Sequence, residues 1–154
     1  VVSSARQQRT ETMKALFVLG RALFGGFFLF NGLGHFMQLG FLAQYAGMKG
    51  VPAPAAAVAV TGIMLILGGA SILLGVRPRI GIALIVAFLL PTSVIMHDFW
   101  TVPEQMPRAA EMVNFLKNLA LAGAALMLTA VPEPWPASLV SRRHPSGTPG
   151  IGRG

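Results

Sequence analysis

The sequence predicts an all-α integral membrane protein in which four helices cross the bilayer as one bundle. Four apolar stretches fill most of the 154 residues, and each has the roughly 20 residues that a helix needs to cross a hydrocarbon core of about 30 Å. Charged residues make up 11% of the chain, against about 25% in soluble domains. The apolar runs are continuous and not alternating, which favours helices over the strands of a membrane barrel.

The four predicted spans are separated by short polar connections. They cover residues 15–36, 53–76, 80–100 and 112–130. Residues 1–14 are predicted to form a mobile polar arm that becomes helical near Lys14. Residues 132–154 form a tail rich in Pro, Gly and Arg, and its last part, 141–154, has the composition of a disordered segment. One membrane domain over residues 15–131 therefore leaves no room for a soluble domain beside it.

Small residues in the first span and an amphiphilic stretch after it predict how the bundle begins. The glycines of span one are expected to let a neighbouring helix approach closely. Those with a packing role are Gly25, Gly26, Gly32 and Gly34. Residues 37–50 mix apolar and polar side chains and predict a short helix in the membrane interface between spans one and two.

Prolines and a short turn define the remaining elements. Pro54 suits the first turn of a helix and marks the start of span two. The turn over residues 75–79 is so short that spans two and three must be antiparallel neighbours. Span four ends where Pro132 begins a proline-rich stretch, in which Trp135 is expected to anchor the chain in the membrane interface.

The net charge of +7 becomes a topology signal once its residues are placed along the chain. Basic residues precede span one, lie between spans two and three, and recur in the tail: Arg6, Arg9, Lys14, Arg77, Arg79, Arg142, Arg143 and Arg153. With four crossings these residues fall on one side, and both termini are therefore predicted to be cytoplasmic. No basic face is interleaved with aromatic residues, so the expected partner is the lipid bilayer and not nucleic acid.

Polar side chains recur near the ends of three spans that this topology places on the extracytoplasmic side. Asn31 and His35 are four residues apart and share a face of span one. The candidate pocket comprises Asn31, His35, His97, Asp98, Trp100, Asn114, Lys117 and Asn118. Lys117 lies roughly 9 Å beyond Glu111 along a helix. A lysine at that depth needs a partner, for which Asp98 and Glu111 are the candidates.

Structural roles are the alternative for these residues. Lys117 can snorkel to the headgroups, the asparagines of span four can link helices by hydrogen bonds, and the histidines can cap helix ends. A metal site built from His35, His97 and Asp98 is chemically possible, but no ligand spacing supports it and we predict no metal. The chain has no cysteine, which excludes thiolate catalysis and Cys-ligated sites.

Several short motifs, taken in order, make the chain resemble the DoxX family of small four-helix bacterial membrane proteins. The motifs are GRALF (20–24), FNGLGH (30–35), GVP (50–52), LGG (67–69), LG (74–75), Arg77, MHDFW (96–100) and NFLKNLA (114–120). The resemblance covers about residues 15–131 and implies a multi-pass protein of the bacterial inner membrane. Relatives often carry an acidic residue just before the Gly-Gly pair of span two, where this chain has IMLIL (63–67).

The resemblance also implies partners and chemistry. Some members of the family are linked to quinone reduction as subunits of thiosulfate-oxidising complexes, and others to membrane-bound oxidant-defence assemblies. The first hypothesis is therefore a redox-linked subunit with a bound quinone. In it His35 or His97 bonds a quinone carbonyl, Lys117 or Asn114 stabilises negative charge, Asp98 or water supplies protons, and electrons arrive from a partner.

Two further functions stay open. In one, the chain is a non-catalytic subunit that stabilises a larger membrane complex, and the polar cluster is a hydrogen-bonded joint between helices. In the other, it is a small-molecule carrier, although the inverted repeats that are common in transporters are not evident. The family resemblance places the redox-linked subunit first, and whether the chain is itself an enzyme is left open.

Overall fold

The computed structural model describes residues 2–139, and this part of the chain is all-helical, as predicted. Its helices are α1 (Val2–Met37), α2 (Leu39–Met48), α3 (Pro54–Leu74), α4 (Pro78–Met96) and α5 (Gln105–Met127), with 3-10 turns at Phe99–Thr101 and Leu128–Ala130. Four helical segments are long and apolar enough to cross a membrane: Ser3–Met37, Pro54–Leu74, Pro78–Thr101 and Gln105–Ala130. The remaining helix, α2, is the short helix that residues 37–50 predict.

The N-terminal arm differs from the expectation, because α1 begins at Val2 and not near Lys14. Residues 1–14 contain neither Gly nor Pro and are rich in good helix formers such as Arg, Gln, Glu and Met. Side chains also support the helix there: Lys14 donates to Glu11 at 2.7 Å, one turn apart. The expected mobile arm is therefore the first part of a continuous helix.

Glycines of α1 and α3 bring these two helices into close contact, as predicted for Gly25 and Gly32. A Cβ on Gly69 would lie 2.6 Å from the backbone nitrogen of Leu29 and 2.7 Å from the carbonyl oxygen of Gly25. A Cβ on Gly32 would lie 2.8 Å from the backbone nitrogen of Ile66. Gly26 and Gly34 have no such neighbours within 4 Å, so only part of the predicted glycine set packs.

The bundle is built in the order α1, α3, α4, α5, with each helix packed on the next. The short connection between α3 and α4 makes them antiparallel neighbours, as predicted, and Ser71 stabilises it by donating to the carbonyl oxygen of Val76 at 2.7 Å. Within residues 2–139, α1 and α5 make no extended contact with each other. The core combines all four long helices: Phe28, Leu65, Ile72, Ile82, Ile85, Leu89, Ala122, Ala125 and Trp135.

Trp135 corrects the expectation of an interfacial anchor. It is 3% exposed and packs edge-on against Phe17, with ring centroids 5.3 Å apart. The proline-rich segment after α5 folds back over the bundle, where Arg21 donates to the carbonyl oxygens of Pro136 and Ala137 at 2.9 and 3.0 Å. The predicted disorder of 141–154 concerns residues outside the described part of the chain.

Candidate functional site

A cavity of about 320 Å³ lies at the end of the bundle that holds α2, which we call the α2 end. Its walls come from α1, α2, α3 and α4, and most of the side chains that line it are apolar. Pro91 and Ile95 of α4 border the cavity and face outward, Ile95 with 44% of its surface exposed. The cavity therefore opens on the lipid-facing side of α4, and we call it the lateral cavity.

His35 lines the lateral cavity near the end of α1. Its Nδ1 atom lies 2.9 Å from the carbonyl oxygen of Asn31, one helical turn earlier. Because a carbonyl oxygen only accepts, Nδ1 carries the proton of that bond, and Nε2 is the acceptor of the neutral ring. The ring also packs edge-on against Phe88, with centroids 5.8 Å apart, so its orientation is defined from two sides.

His97 lines the same cavity from the end of α4 and is bound by a carboxylate. Its Nδ1 atom lies 2.7 Å from Oε2 of Glu111 on α5. The other carboxylate oxygen, Oε1, lies 3.2 Å from the hydroxyl of Tyr45 on α2. Glu111 therefore joins three helices, and His97 keeps Nε2 as the ring nitrogen without a described protein partner.

A second charged pair fastens α2 to the end of α4. Lys49 donates to Oδ1 of Asp98, and Thr101 donates to Oδ2 of the same carboxylate at 2.8 Å. The hydrogen bond with Asp98 raises the pKa of Lys49 above its ordinary value of 10.5. Burial, assisted by the charge of Glu111, raises the pKa of Tyr45 above 10.0, so the Tyr45 hydroxyl remains a proton donor at neutral pH.

A smaller space of about 130 Å³ adjoins the lateral cavity, and we call it the polar chamber. His35 and His97 line both spaces. Three polar residues line the polar chamber and not the lateral cavity: Asn31, Lys117 and Asn118. Most of the remaining chamber wall consists of apolar side chains of α1, α3 and α4. The α2 end thus holds a mainly apolar cavity and a polar chamber that share two imidazoles.

Comparison with known proteins decides the family. The DoxX family model matches residues 16–98. The chain belongs to the DoxX family. It is also 31% identical over 115 residues to the inner membrane protein YphA of Escherichia coli K12, a match that covers 75% of this chain and 81% of YphA. No solved structure matches it significantly.

The family membership confirms the expected class and location. This DoxX-family chain has four helices that can cross a membrane and a relative in the inner membrane. It is a multi-pass protein of the bacterial inner membrane, in contact with the lipid bilayer. The family model ends at Asp98, just after α4, and does not cover α5.

The structure brings five of the eight candidate residues of this DoxX-family chain together and separates three. Asn31, His35, His97, Lys117 and Asn118 line the polar chamber. Trp100 lies elsewhere, 52% exposed and packed edge-to-face against Phe99 and Phe115. Asn114 lines neither space and accepts a hydrogen bond from Lys117 at 3.0 Å.

The expected partners of Lys117 are wrong, since neither carboxylate reaches it. Asp98 is bonded to Lys49 and Thr101, and Glu111 to His97 and Tyr45. Asp98 was considered as a metal ligand together with His35 and His97, but both of its carboxylate oxygens are bonded to other side chains. Among the described residues 2–139, no three His, Cys, Asp or Glu side chains gather closely enough to hold a metal ion.

Tyr45 and Lys49 were not predicted as site residues from the sequence, and Glu111 was considered only as a partner for Lys117. One local signal was available, because Tyr45 and Lys49 are four residues apart and share a face of the short helix that residues 37–50 predict. The pairing of His97 with Glu111 had no such signal, since it joins two helices across a connection of irregular structure.

Proposed function

We propose that this DoxX-family protein is a membrane subunit of a redox complex and binds a quinone head group in the lateral cavity. The observation that supports it best is the pair of imidazoles of His35 and His97. Each has its Nδ1 atom engaged by a neighbour and lies on the wall of one mainly apolar cavity. A flat apolar quinone ring suits such walls, and each Nε2 atom can accept a hydrogen bond from a hydroxyl of the reduced, quinol form.

The position of the opening supports a lipophilic ligand. The lateral cavity reaches the outer surface of α4 at Pro91 and Ile95, which faces acyl chains in a bilayer. A quinone can therefore enter from the lipid with its tail left between helices and acyl chains. Binding sites of this kind are concave and mostly apolar, with a few polar groups that orient the ligand.

Glu111 gives His97 a defined role in this proposal. Quinone reduction to quinol consumes two electrons and two protons, and a histidine is suited to pass protons near neutral pH. Glu111 accepts a hydrogen bond from Nδ1 of His97 and orients the ring, so that Nε2 is the atom that exchanges a proton with the ligand. Tyr45 donates to the same carboxylate and helps to fix its position.

Lys117 and Asn114 have no contact with the ligand in this proposal. Lys117 lies in the polar chamber, and Asn114 lines neither space. Electrons are supplied by a partner subunit with its own redox group, because this chain has no cysteine and no glycine-rich nucleotide motif. The DoxX-family chain then contributes the quinone site and the proton path, and the partner contributes the reductant.

A binding experiment tests the proposal directly. The purified full chain in lipid nanodiscs is titrated by calorimetry, without oxygen, with the reduced form of the ligand, a short-tail benzoquinol. We expect saturable binding that weakens at least tenfold in His35→Leu and in His97→Leu, since each variant loses one polar contact worth about 1.4 kcal/mol. The matched control is Asn114→Leu, a polar residue of the same end that lines neither space, and its affinity should stay unchanged.

The same experiment separates the structural alternative. Absence of saturable quinol binding to the wild type, or equal affinity in wild type and both histidine variants, would contradict the proposed site. The polar residues would then serve as joints between helices, as in a non-catalytic subunit. That role predicts that a parent complex isolated without this chain keeps its quinone-dependent turnover, whereas the proposal predicts that the turnover is lost.

A further inference from the structure

The polar chamber carries a positive charge for which residues 2–139 provide no counter-ion. Lys117 lies at the rim of the chamber and is exposed at the surface of the protein, and its ammonium has one bonded neighbour, the neutral Oδ1 atom of Asn114 at 3.0 Å. Neither Asp98 nor Glu111 lines the chamber, and both are bonded to other donors. An ammonium inside a membrane span is costly and normally has a partner, so the chamber is electrostatically incomplete.

Asn118 provides a second and independent observation. Its side chain is buried, with 6% of the residue exposed, and it lines the same chamber. No hydrogen bond joins its carboxamide to another residue of the described part of the chain. Because a buried amide without a partner is unfavourable, its free polar atoms indicate a polar occupant of the chamber.

We propose that the polar chamber binds a small monovalent anion of the chloride type, held between the ammonium of Lys117 and the amide nitrogen of Asn118. One uncompensated positive charge selects an anion of charge −1. The volume of about 130 Å³ holds such an ion with a few water molecules and is too small for a large organic anion. Water alone would satisfy the amide but would leave the ammonium unneutralised.

The walls of the chamber strengthen the interaction. Phe28, Leu65 and Leu89 line it and are each at most 2% exposed, so part of the chamber is shielded from bulk water. In such surroundings an ion pair is stronger than at a wet surface. The site is separate from the proposed quinone site, because Lys117 and Asn118 do not line the lateral cavity.

Chloride nuclear magnetic resonance tests the proposal on the full chain in nanodiscs. We expect the wild type to broaden the ³⁵Cl signal saturably beyond that of empty nanodiscs, and bromide to compete. Lys117→Met should abolish the excess broadening, and Asn118→Leu should weaken the affinity at least tenfold. Lys14→Met is the matched control, because Lys14 is paired with Glu11 at the opposite end of the bundle, and it should keep the wild-type response.

Two outcomes would overturn the anion site. One is equal broadening by wild type and Lys117→Met, and the other is no broadening by the wild type beyond that of empty nanodiscs. If Lys117→Met does not fold, crystals of the wild type grown in bromide provide the test. Anomalous scattering should then place an ion against Lys117 and Asn118, and its absence there refutes the site. Titration of the same samples with the quinone ligand, without halide, shows separately whether the lateral cavity binds it.

Discussion

The Nδ1 atom of His97 lies 2.7 Å from Oε2 of Glu111, and this bond joins the end of α4 to the second turn of α5. A carboxylate on Nδ1 sets the tautomer and the orientation of the ring. The same carboxylate accepts from Tyr45, so α2 is tied to the arrangement as well. The chemistry of the lateral cavity thus depends on a residue that does not line it.

Glu111→Gln should leave quinone binding largely intact and lower quinone-dependent turnover about 100-fold, the lower range of a general acid–base contribution. The neutral amide holds the Nδ1–H group of His97 less firmly than the carboxylate does, so the ring is less well oriented toward the ligand. The measurement is turnover against pH in membranes that contain the partner subunit. Glu104→Gln is the matched control, since Glu104 is exposed just before α5. A Glu111→Gln profile equal to that of wild type would remove His97 from the proton path.

The Lys49–Asp98 pair should contribute stability that is lost at high pH, where Lys49 loses its proton, and at low pH, where Asp98 gains one. The folded-state pKa of Lys49 is raised above its ordinary value of 10.5. On the alkaline side the contribution is therefore fully present below about pH 10.5 and disappears as pH rises through the raised pKa. Lys49→Met should lower the free energy of unfolding at neutral pH by about 1–3 kcal/mol, and the difference from wild type should shrink toward pH 12.

The measurement for this pair is thermal unfolding in detergent across pH 8–12. Lys14→Met is the matched control, because its pairing with Glu11 is largely exposed and such pairs contribute little. A stability difference between Lys49→Met and wild type that stays constant up to pH 12 would show that the ammonium of Lys49 is not what stabilises the α2 end.

Gly69→Ala should destabilise the bundle by about 1–3 kcal/mol, because the added Cβ meets backbone atoms of α1 at 2.6 and 2.7 Å. Gly26→Ala, with nothing within 4 Å of its Cβ, should be neutral or stabilising, since alanine is the better helix former. Thermal unfolding of both variants in the same detergent checks this. Equal stability of the two variants would mean that the backbones of α1 and α3 are not in contact at Gly69.

Arg21→Gln should release the segment that folds back after α5. Arg21 is 5% exposed and donates to Pro136 and Ala137, and charge-assisted bonds of this kind are worth about 1.5–3 kcal/mol. Hydrogen exchange of the Leu139 amide, which is bonded to the Leu74 carbonyl oxygen at 3.1 Å, should accelerate. Arg9→Gln, near the start of α1, is the control that should leave this exchange unchanged.

The cytoplasmic placement of both termini is a prediction that the absence of cysteine makes easy to measure. Single-cysteine variants Met106→Cys and Gln8→Cys are uncharged and exposed, at opposite ends of the bundle. A membrane-impermeant maleimide should label Met106→Cys in spheroplasts and Gln8→Cys only after permeabilisation. The reverse pattern would place the α2 end, with both of its cavities, on the cytoplasmic side.

Much of the fold was readable from local properties of the chain. Span length, hydropathy and the glycines of span one depend on neighbours along the sequence, and they predicted the helices and the contact of Gly25 and Gly32 with α3. Helical spacing likewise placed Asn31 and His35 on one face of span one, and both residues line the polar chamber. The predicted interfacial position of Trp135 was wrong, because the sequence of a proline-rich stretch does not indicate the direction in which the chain turns.

Local properties of the sequence were enough to predict a bundle of four membrane-crossing helices, because the lipid solvent imposes strong rules on apolar length. The resemblance of its motifs to the DoxX family indicated the inner membrane. The pairing of the few polar side chains depends on the tertiary fold. Folding of α2 across the bundle end directs Asp98 to Lys49 and Glu111 to His97. Lys117 is left with an asparagine, since which acid meets which base depends on distances between helices that no local pattern encodes.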